Sequence, residues 1–182
     1  EFLTRSESPS GVQRVVAEVS PLLMSSHAAR PVLLDRARGV FVELTGEESD
    51  GLLRKGPPTS GTGLSTDVPG QAAAALERAR AAQPVTIDTR CTLVFLGALW
   101  INDALMGAAR LAHTQGATLV ALLYDLTPVM ETGHTPTVNR LFTRYLDLLI
   151  TSASAVPAIS ESSRRDFVAY AKGTGLPAPP GH

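Results

Sequence analysis

Between residues 92 and 172 three apolar runs alternate with three helical patterns, and this alternation limits the fold more than any other feature. The runs are Thr92–Leu96, which ends at Gly97, then Ala117–Tyr124, then Ala155–Ile159, where Pro157 suits an edge or a strand start. Asn102 or Asp103 can cap the first helix, which runs to about Gln115 and stops at Gly116. Pro136 behind Thr135 opens the second, which carries Leu141, Phe142, Tyr145, Leu146 and Leu149. Ser160 caps the third, Glu161 to about Lys172, closed by Gly173 and followed by the Pro-rich stretch Leu176–Gly181. Continuous apolar runs suit strands covered on both faces. Their alternation with helices predicts an α/β fold with a mostly parallel sheet flanked by helices. In such sheets ligands bind beyond the carboxyl ends of the strands, which points to the residues that follow Leu96, Tyr124 and Ile159.

The first half is less regular. Val12, Val15, Val16, Val19, Leu22 and Leu23 share one helical face, predicting a helix over 10–24 with Ser10 as N-cap. Pro21 should kink or end it. Pro31–Asp35 and Gly39–Leu44 read as short strands separated by the charged turn Arg36-Ala37-Arg38. From Thr45 to Gly70 six Gly and three Pro in 26 residues read as a flexible surface excursion rather than an element. Within it, Ser60-Gly61-Thr62-Gly63 lacks the Lys-Ser/Thr ending of a phosphate loop and reads as linker. Gln71–Ala82 is an Ala-rich helical stretch ended by Pro84. With 182 residues the whole is expected to be one domain with a sizeable core.

Composition excludes several classes. Sixteen basic against seventeen acidic residues give a net charge of −1, without the basic excess of a duplex nucleic-acid binder. The longest apolar stretches are less than half of a membrane span, and no charged-then-apolar start resembles a signal peptide, so a cytoplasmic protein is expected. Cys91 is the only cysteine, which excludes an internal disulfide, and at the head of an apolar run it reads as a buried structural thiol. No pair of His has metal-ligand spacing beside a carboxylate, so no metal site is expected. Gly-x-Ser-x-Gly is absent as well. The single Trp, Trp100, is expected to pack behind Gly97.

Several residues can carry chemistry, each beside a plainer role. Asp125 follows a predicted buried strand in Tyr124-Asp125-Leu126-Thr127-Pro128, where a carboxylate can accept hydrogen bonds from a polyol. It can equally satisfy local backbone amides as a turn residue. Ser10-Gly11 before a helix, with Arg14 one turn in, offers free N–H groups and a dipole end suited to phosphate, or is an ordinary capped helix. Ser160-Glu161 opens a helix at the same edge as Asp125 and is at least a cap. His134, in the loop after Asp125, can act near neutral pH or simply be solvated.

Four segments in order, Ser10-Gly11-Val12-Gln13-Arg14-Val15, Phe95-Leu96-Gly97-Ala98-Leu99-Trp100, Tyr124-Asp125-Leu126-Thr127-Pro128 and Ala158-Ile159-Ser160-Glu161-Ser162-Ser163, span nearly the whole chain. Together they resemble the N-terminal domain of GT-B glycosyltransferases, in the group-1, mannosyltransferase-like branch that builds bacterial polysaccharides. The resemblance implies a Rossmann-like acceptor-side domain and a second, donor-binding domain with a paired-glutamate motif beyond His182. It implies a retaining, metal-independent transfer of a hexose from a GDP- or UDP-linked sugar to a glycan or lipid-linked acceptor, with no cofactor. A lipid-linked acceptor would bring such an enzyme to the inner membrane surface without a span.

By the same resemblance Ser10, Gly11 and Arg14 lie near the donor diphosphate, and Asp125 faces the reacting sugar as the catalytic candidate. Gly97, Tyr124, Glu131, His134, Ser160 and Glu161 line the acceptor cleft. The chain departs from the family at two of these positions. Many members carry His-Pro-Glu where this chain has Glu131-Thr132-Gly133 with His134 just beyond, and another branch has His in place of Tyr124. The rival reading is a stand-alone Rossmann-like module that binds a nucleotide or phosphorylated ligand without transfer chemistry.

Overall fold

The computed structural model describes residues 11–53, 68–131, 133–176 and 178–180. Ser10, the Ser60–Gly63 segment and the end of the Pro-rich stretch lie outside the described residues. The chain is α/β and divides into two compact units, Glu1–Thr86 and Ile87–His182, each built around its own small sheet.

In the first unit, helix α1 (Gly11–Ser26) precedes strands β1 (Val32–Asp35) and β2 (Val40–Glu43), then α2 (Gly46–Leu53) and α3 (Val68–Ala81). Pro21 does not end α1, which continues five residues beyond it. The ring removes one backbone donor, and the helix resumes around it. The strands pair antiparallel, Val32 opposite Glu43 and Asp35 opposite Val40, so this half forms a hairpin rather than part of a parallel sheet. The turn is held by Asp35, whose Oδ1 accepts from the Ala37 and Arg38 amides at 3.0 and 3.4 Å. Gly39 closes it at φ +68°, where a side chain would be strained. The charged turn also has a longer reach: Arg38 Nη1 donates to the carbonyls of Ala79, Arg80 and Ala82, satisfying the C-terminal end of α3. Leu34, Phe41, Val42, Ala75 and Ala79 are buried here.

The expected excursion at Thr45–Gly70 is corrected at both ends, since α2 begins at Gly46 and α3 at Val68. The start of α2 is a reciprocal cap: the Glu48 amide donates to Thr45 Oγ1 and the Thr45 amide to Glu48 Oε2. Arg78 on α3 then grips Glu48 with Nε and Nη2 and also donates to the Glu43 carbonyl at 2.9 Å. One guanidinium therefore ties α3 to α2 and to the end of β2.

The second unit contains β3 (Thr92–Phe95), a 3-10 turn (Leu99–Ile101), α4 (Asp103–Thr114), β4 (Thr118–Ala121), the short α5 (Thr127–Met130), α6 (Pro136–Ser152) and α7 (Glu161–Gly173). Strands β3 and β4 pair parallel, Thr92 opposite Thr118 through Phe95 opposite Ala121. The third predicted strand is reduced to two isolated parallel bridges to the same segment, Val120–Ala155 and Leu123–Ala158. Pro157 has no amide to donate, which is one reason no longer ladder forms there. The spatial order is thus β3, then β4 and its extension, then 155–158. The sheet of this unit is small, and the antiparallel hairpin makes a second sheet rather than joining it.

Three helix starts follow from local chemistry. Asn102 Oδ1 accepts from the Leu105 amide, Thr135 Oγ1 from Val138 and Ser160 Oγ from Ser163, each capping the helix that follows. Gly116 ends the turn after α4 at φ +92°, and an added Cβ would lie 2.5 Å from Thr89 Cγ2. After α7 the positive φ falls on Gly175 at +78°, not on Gly173, which is still helical.

Helix α4 buries Met106, Ala108, Ala109 and Ala112, while α6 buries Phe142, Tyr145, Leu146, Leu148 and Leu149. With Leu119, Leu123, Val156 and Phe167 these form the core of the unit. Trp100 packs edge-on against Phe142, with ring centroids 5.5 Å apart. Strand β3 is not covered on both faces: Leu93 is buried, but Thr92 is exposed and Val94 is 42 % exposed. Cys91 is half-buried rather than buried, its thiol 3.8 Å from Asp88 Oδ1. No helix among the described residues is long and apolar enough to cross a membrane.

Candidate functional site

In the second unit the three parallel segments end side by side, and their ends are joined by side-chain hydroxyls. Leu96 and Tyr124 follow β3 and β4 at points where the ladder stops, so their carbonyls need other donors. The Tyr124 hydroxyl donates to the Leu96 carbonyl at 2.5 Å. The Tyr124 carbonyl accepts from Ser163 Oγ at 2.6 Å. Ser163 Oγ lies 2.9 Å from Ser160 Oγ, and the Ser163 amide donates to Ser160 Oγ at 3.1 Å. Because the single proton of Ser163 Oγ goes to the Tyr124 carbonyl, Ser160 donates in the hydroxyl pair. The result is a directed chain from Ser160 through Ser163 to the backbone just before Asp125. Ser163 is 6 % exposed, whereas Ser160 is open to solvent.

Asp125 follows directly. Its Oδ1 accepts from the Thr127 amide at 3.0 Å, which fixes the side chain over the first turn of α5. The turn-forming role is therefore real, and it occupies one oxygen. Among the described residues no hydrogen bond reaches Oδ2, and the residue is exposed. The carboxylate stands at the carboxyl edge of the central segment with Oδ1 held and, among the described residues, no hydrogen bond on Oδ2.

Of the residues predicted for the acceptor cleft, Tyr124 and Ser160 meet in this cluster with Asp125 beside them. Gly97 lies next to Leu96 and opens the 3-10 turn, its carbonyl accepting from the Leu99 amide at 2.9 Å. Glu161 opens α7 and pairs with Arg164 at 2.7 Å, which holds its carboxyl below the ordinary range. Glu131 ends α5, and Glu131 and His134 are both exposed. Among the described residues no hydrogen bond or ion pair ties either side chain to the cluster. Gly11 and Arg14 are exposed in the first turn of α1, in the other unit.

Sequence reasoning missed Ser163. Its signal was the three-residue spacing from the cap Ser160, but nothing local announces a partner 39 residues away.

Burial pushes the Tyr124 phenol up from its ordinary pKa. It pushes Tyr145 up further, with the Tyr124 phenol adding to the effect. The Tyr124 phenol therefore stays protonated at neutral pH, as its donation to the Leu96 carbonyl requires. No group of three or more His, Cys, Asp or Glu among the described residues is placed to hold a metal ion. The edge thus presents an exposed carboxylate, which can only accept hydrogen bonds, on a braced backbone.

No protein-family model, curated protein or solved structure matches this chain.

Proposed function

We propose that the chain is the acceptor-side part of a GT-B-type glycosyltransferase, in which a hexose passes from a GDP- or UDP-linked sugar to a glycan or lipid-linked acceptor. The observation that carries this reading is Asp125: a carboxylate just beyond the central parallel segment, with Oδ1 locked to the Thr127 amide and Oδ2 open. A Rossmann-like half-sheet would place its ligand at that edge, and the sequential order β3, β4, 155–158 supports such a sheet. An acceptor hydroxyl bonded to Oδ2 would be oriented there, and positioning of this kind supplies much of the rate in group transfer. Gly11 and Arg14 are assigned by the sequence resemblance to the donor diphosphate. The donor-binding part lies outside this chain in the proposal, so saccharide binding, not turnover, is the property to test in residues 1–182.

The test is saturation-transfer NMR of the chain with a panel of hexose-terminated oligosaccharides, and separately with GDP and UDP. The reading expects weak saccharide binding that is lost in Asp125→Ala with the melting temperature unchanged, together with little affinity for either nucleotide. Binding equal in Asp125→Ala and wild type refutes the role of Asp125. Tight nucleotide binding without saccharide binding replaces the transferase reading with the stand-alone binding module.

A further inference from the structure

We propose that Ser163 is the positioning residue for Asp125, with Ser160 holding Ser163 in its donating orientation. The peptide between Tyr124 and Asp125 has its carbonyl gripped by Ser163 Oγ at 2.6 Å. Fixing that carbonyl fixes the peptide plane and, with it, the position of the Asp125 N–Cα bond from which the rest of the residue is built. The carboxylate is then held a second time, by the Thr127 amide on Oδ1. With the backbone set on one side and Oδ1 on the other, the direction of Oδ2 follows. The Tyr124 hydroxyl on the Leu96 carbonyl braces the same residue from β3.

Ser163 suits this task because it is buried in the first turn of α7, while the peptide it holds belongs to β4's extension. Helix α7 is therefore coupled to the carboxylate by one hydroxyl. Ser160 is shared between two duties: its oxygen caps the Ser163 amide, and its proton goes to Ser163 Oγ. That leaves Ser163 Oγ a single direction in which to donate. A shift of the α7 N-terminus would reach Asp125 through this link, so anything that moves α7 would alter the presentation of Oδ2.

The functional half of this inference rests on the reading of Asp125 given above, whereas the mechanical half can be measured without any ligand. The Thr127 amide reports the Asp125 Oδ1 contact directly. Its exchange with water is measured by NMR in wild type, Ser163→Ala, Ser163→Thr and Ser160→Ala, with the buried Ala109 amide of α4 as an internal control.

Loss of a hydrogen bond that holds the peptide is expected to speed Thr127 exchange about fivefold in Ser163→Ala. The Ala109 amide should stay unchanged and Ser163→Thr should fall near wild type. Ser160→Ala should move Thr127 in the same direction by about twofold to threefold. Thr127 exchange within experimental error of wild type in both Ser163→Ala and Ser160→Ala overturns the proposal. So does acceleration of Ala109 in step with Thr127, which marks general loosening instead of positioning. If Ser163→Ala fails to fold, Ser160→Ala decides alone: Thr127 exchange faster by about twofold to threefold with Ala109 unchanged supports the proposal, and Thr127 exchange at the wild-type rate overturns it. Saccharide binding keeps the two ideas apart: if Asp125→Ala leaves it intact while Thr127 still responds to Ser163→Ala, the link stands and the transferase reading falls.

Discussion

The bond between α2 and α3 makes a sharp prediction about acid. Glu48 accepts from Arg78 through both oxygens and from the Thr45 amide, with its side chain 17 % exposed. The Arg78 hydrogen bonds are the main cause that lowers its carboxyl from 4.5 to about 2, against the opposing cost of burial. A shift of that size corresponds to at most about 3 kcal/mol of stability by proton linkage. Arg78 is 37 % exposed, so solvent screening reduces the usable part to about 1–2 kcal/mol. The sign follows from the depressed folded value. The contribution is complete above the ordinary carboxyl pKa of 4.5 and disappears as pH falls towards 2. Glu48→Gln should therefore lower the stability of the first unit by about 1–2 kcal/mol at pH 7, because the new amide turns an N–H₂ towards a guanidinium that can only donate. The gap between mutant and wild type should close as pH approaches 2.

Global acid unfolding would blur this result, because Asp88 is also lowered to about 2, by its hydrogen bonds with Arg90, in the other unit. Site-specific reading avoids the overlap. Urea titrations followed at the NMR cross-peak of the Ser49 amide, buried in α2, give the local stability, and the Glu48 carboxyl carbon gives its pKa. Arg78→Ala should return that pKa towards 4.5. A wild-type Glu48 that titrates near 4.5, or a Glu48→Gln penalty that does not shrink with acid, refutes the reasoning.

Two further outcomes test the second unit. Gly116→Ala should cost about 1–3 kcal/mol, because the residue sits at φ +92° and its new Cβ would meet Thr89 Cγ2 at 2.5 Å. Adding Thr89→Ala should recover the clash but not the torsional part, so only partial recovery in a thermal melt followed by Trp100 fluorescence fits. Tyr124→Phe removes the donor to the Leu96 carbonyl and should lower stability by about 1 kcal/mol in the same assay; an unchanged midpoint would show that this brace contributes nothing.

The sequence was most legible where one residue's needs are met within three or four neighbours. Asn102, Thr135 and Ser160 are caps because a short side-chain oxygen reaches an amide three residues on, and such pairs appear in any linear reading. The same rule would have found α2, since Thr45-Gly46-Glu47-Glu48 carries the spacing of a reciprocal cap. The density of Gly and Pro further along outweighed that signal. Pro21 shows the converse, a strong local breaker that the helix passes through. The apolar run at Thr92–Leu96 predicted two covered faces, but in β3 Leu93 is buried on one face while Thr92 and Val94 stay open on the other. Hydrophobic pattern reports what a strand can bury, whereas the neighbours it finds decide what it does bury.

The candidate site was legible to the same depth. Asp125 could be placed at a strand end from the run before it, and its turn bond to Thr127 is as local as any cap. The contacts that make the edge a unit span 28 residues from Tyr124 to Leu96 and 39 from Ser163 to Tyr124, and no periodicity encodes them. Yet their chemistry follows from a general need. Where a parallel ladder stops, the last carbonyls lose their partners, and each must be satisfied by water, by a ligand or by the chain itself. Here the chain uses its own hydroxyls, a phenol for Leu96 and a buried serine for Tyr124. A ligand arriving at this edge therefore meets no bare acceptor at these two carbonyls, and the open acceptor is the second oxygen of Asp125. On the proposed reading, such an edge favours partners that donate, which hydroxyl groups of a saccharide do and phosphate oxygens do not.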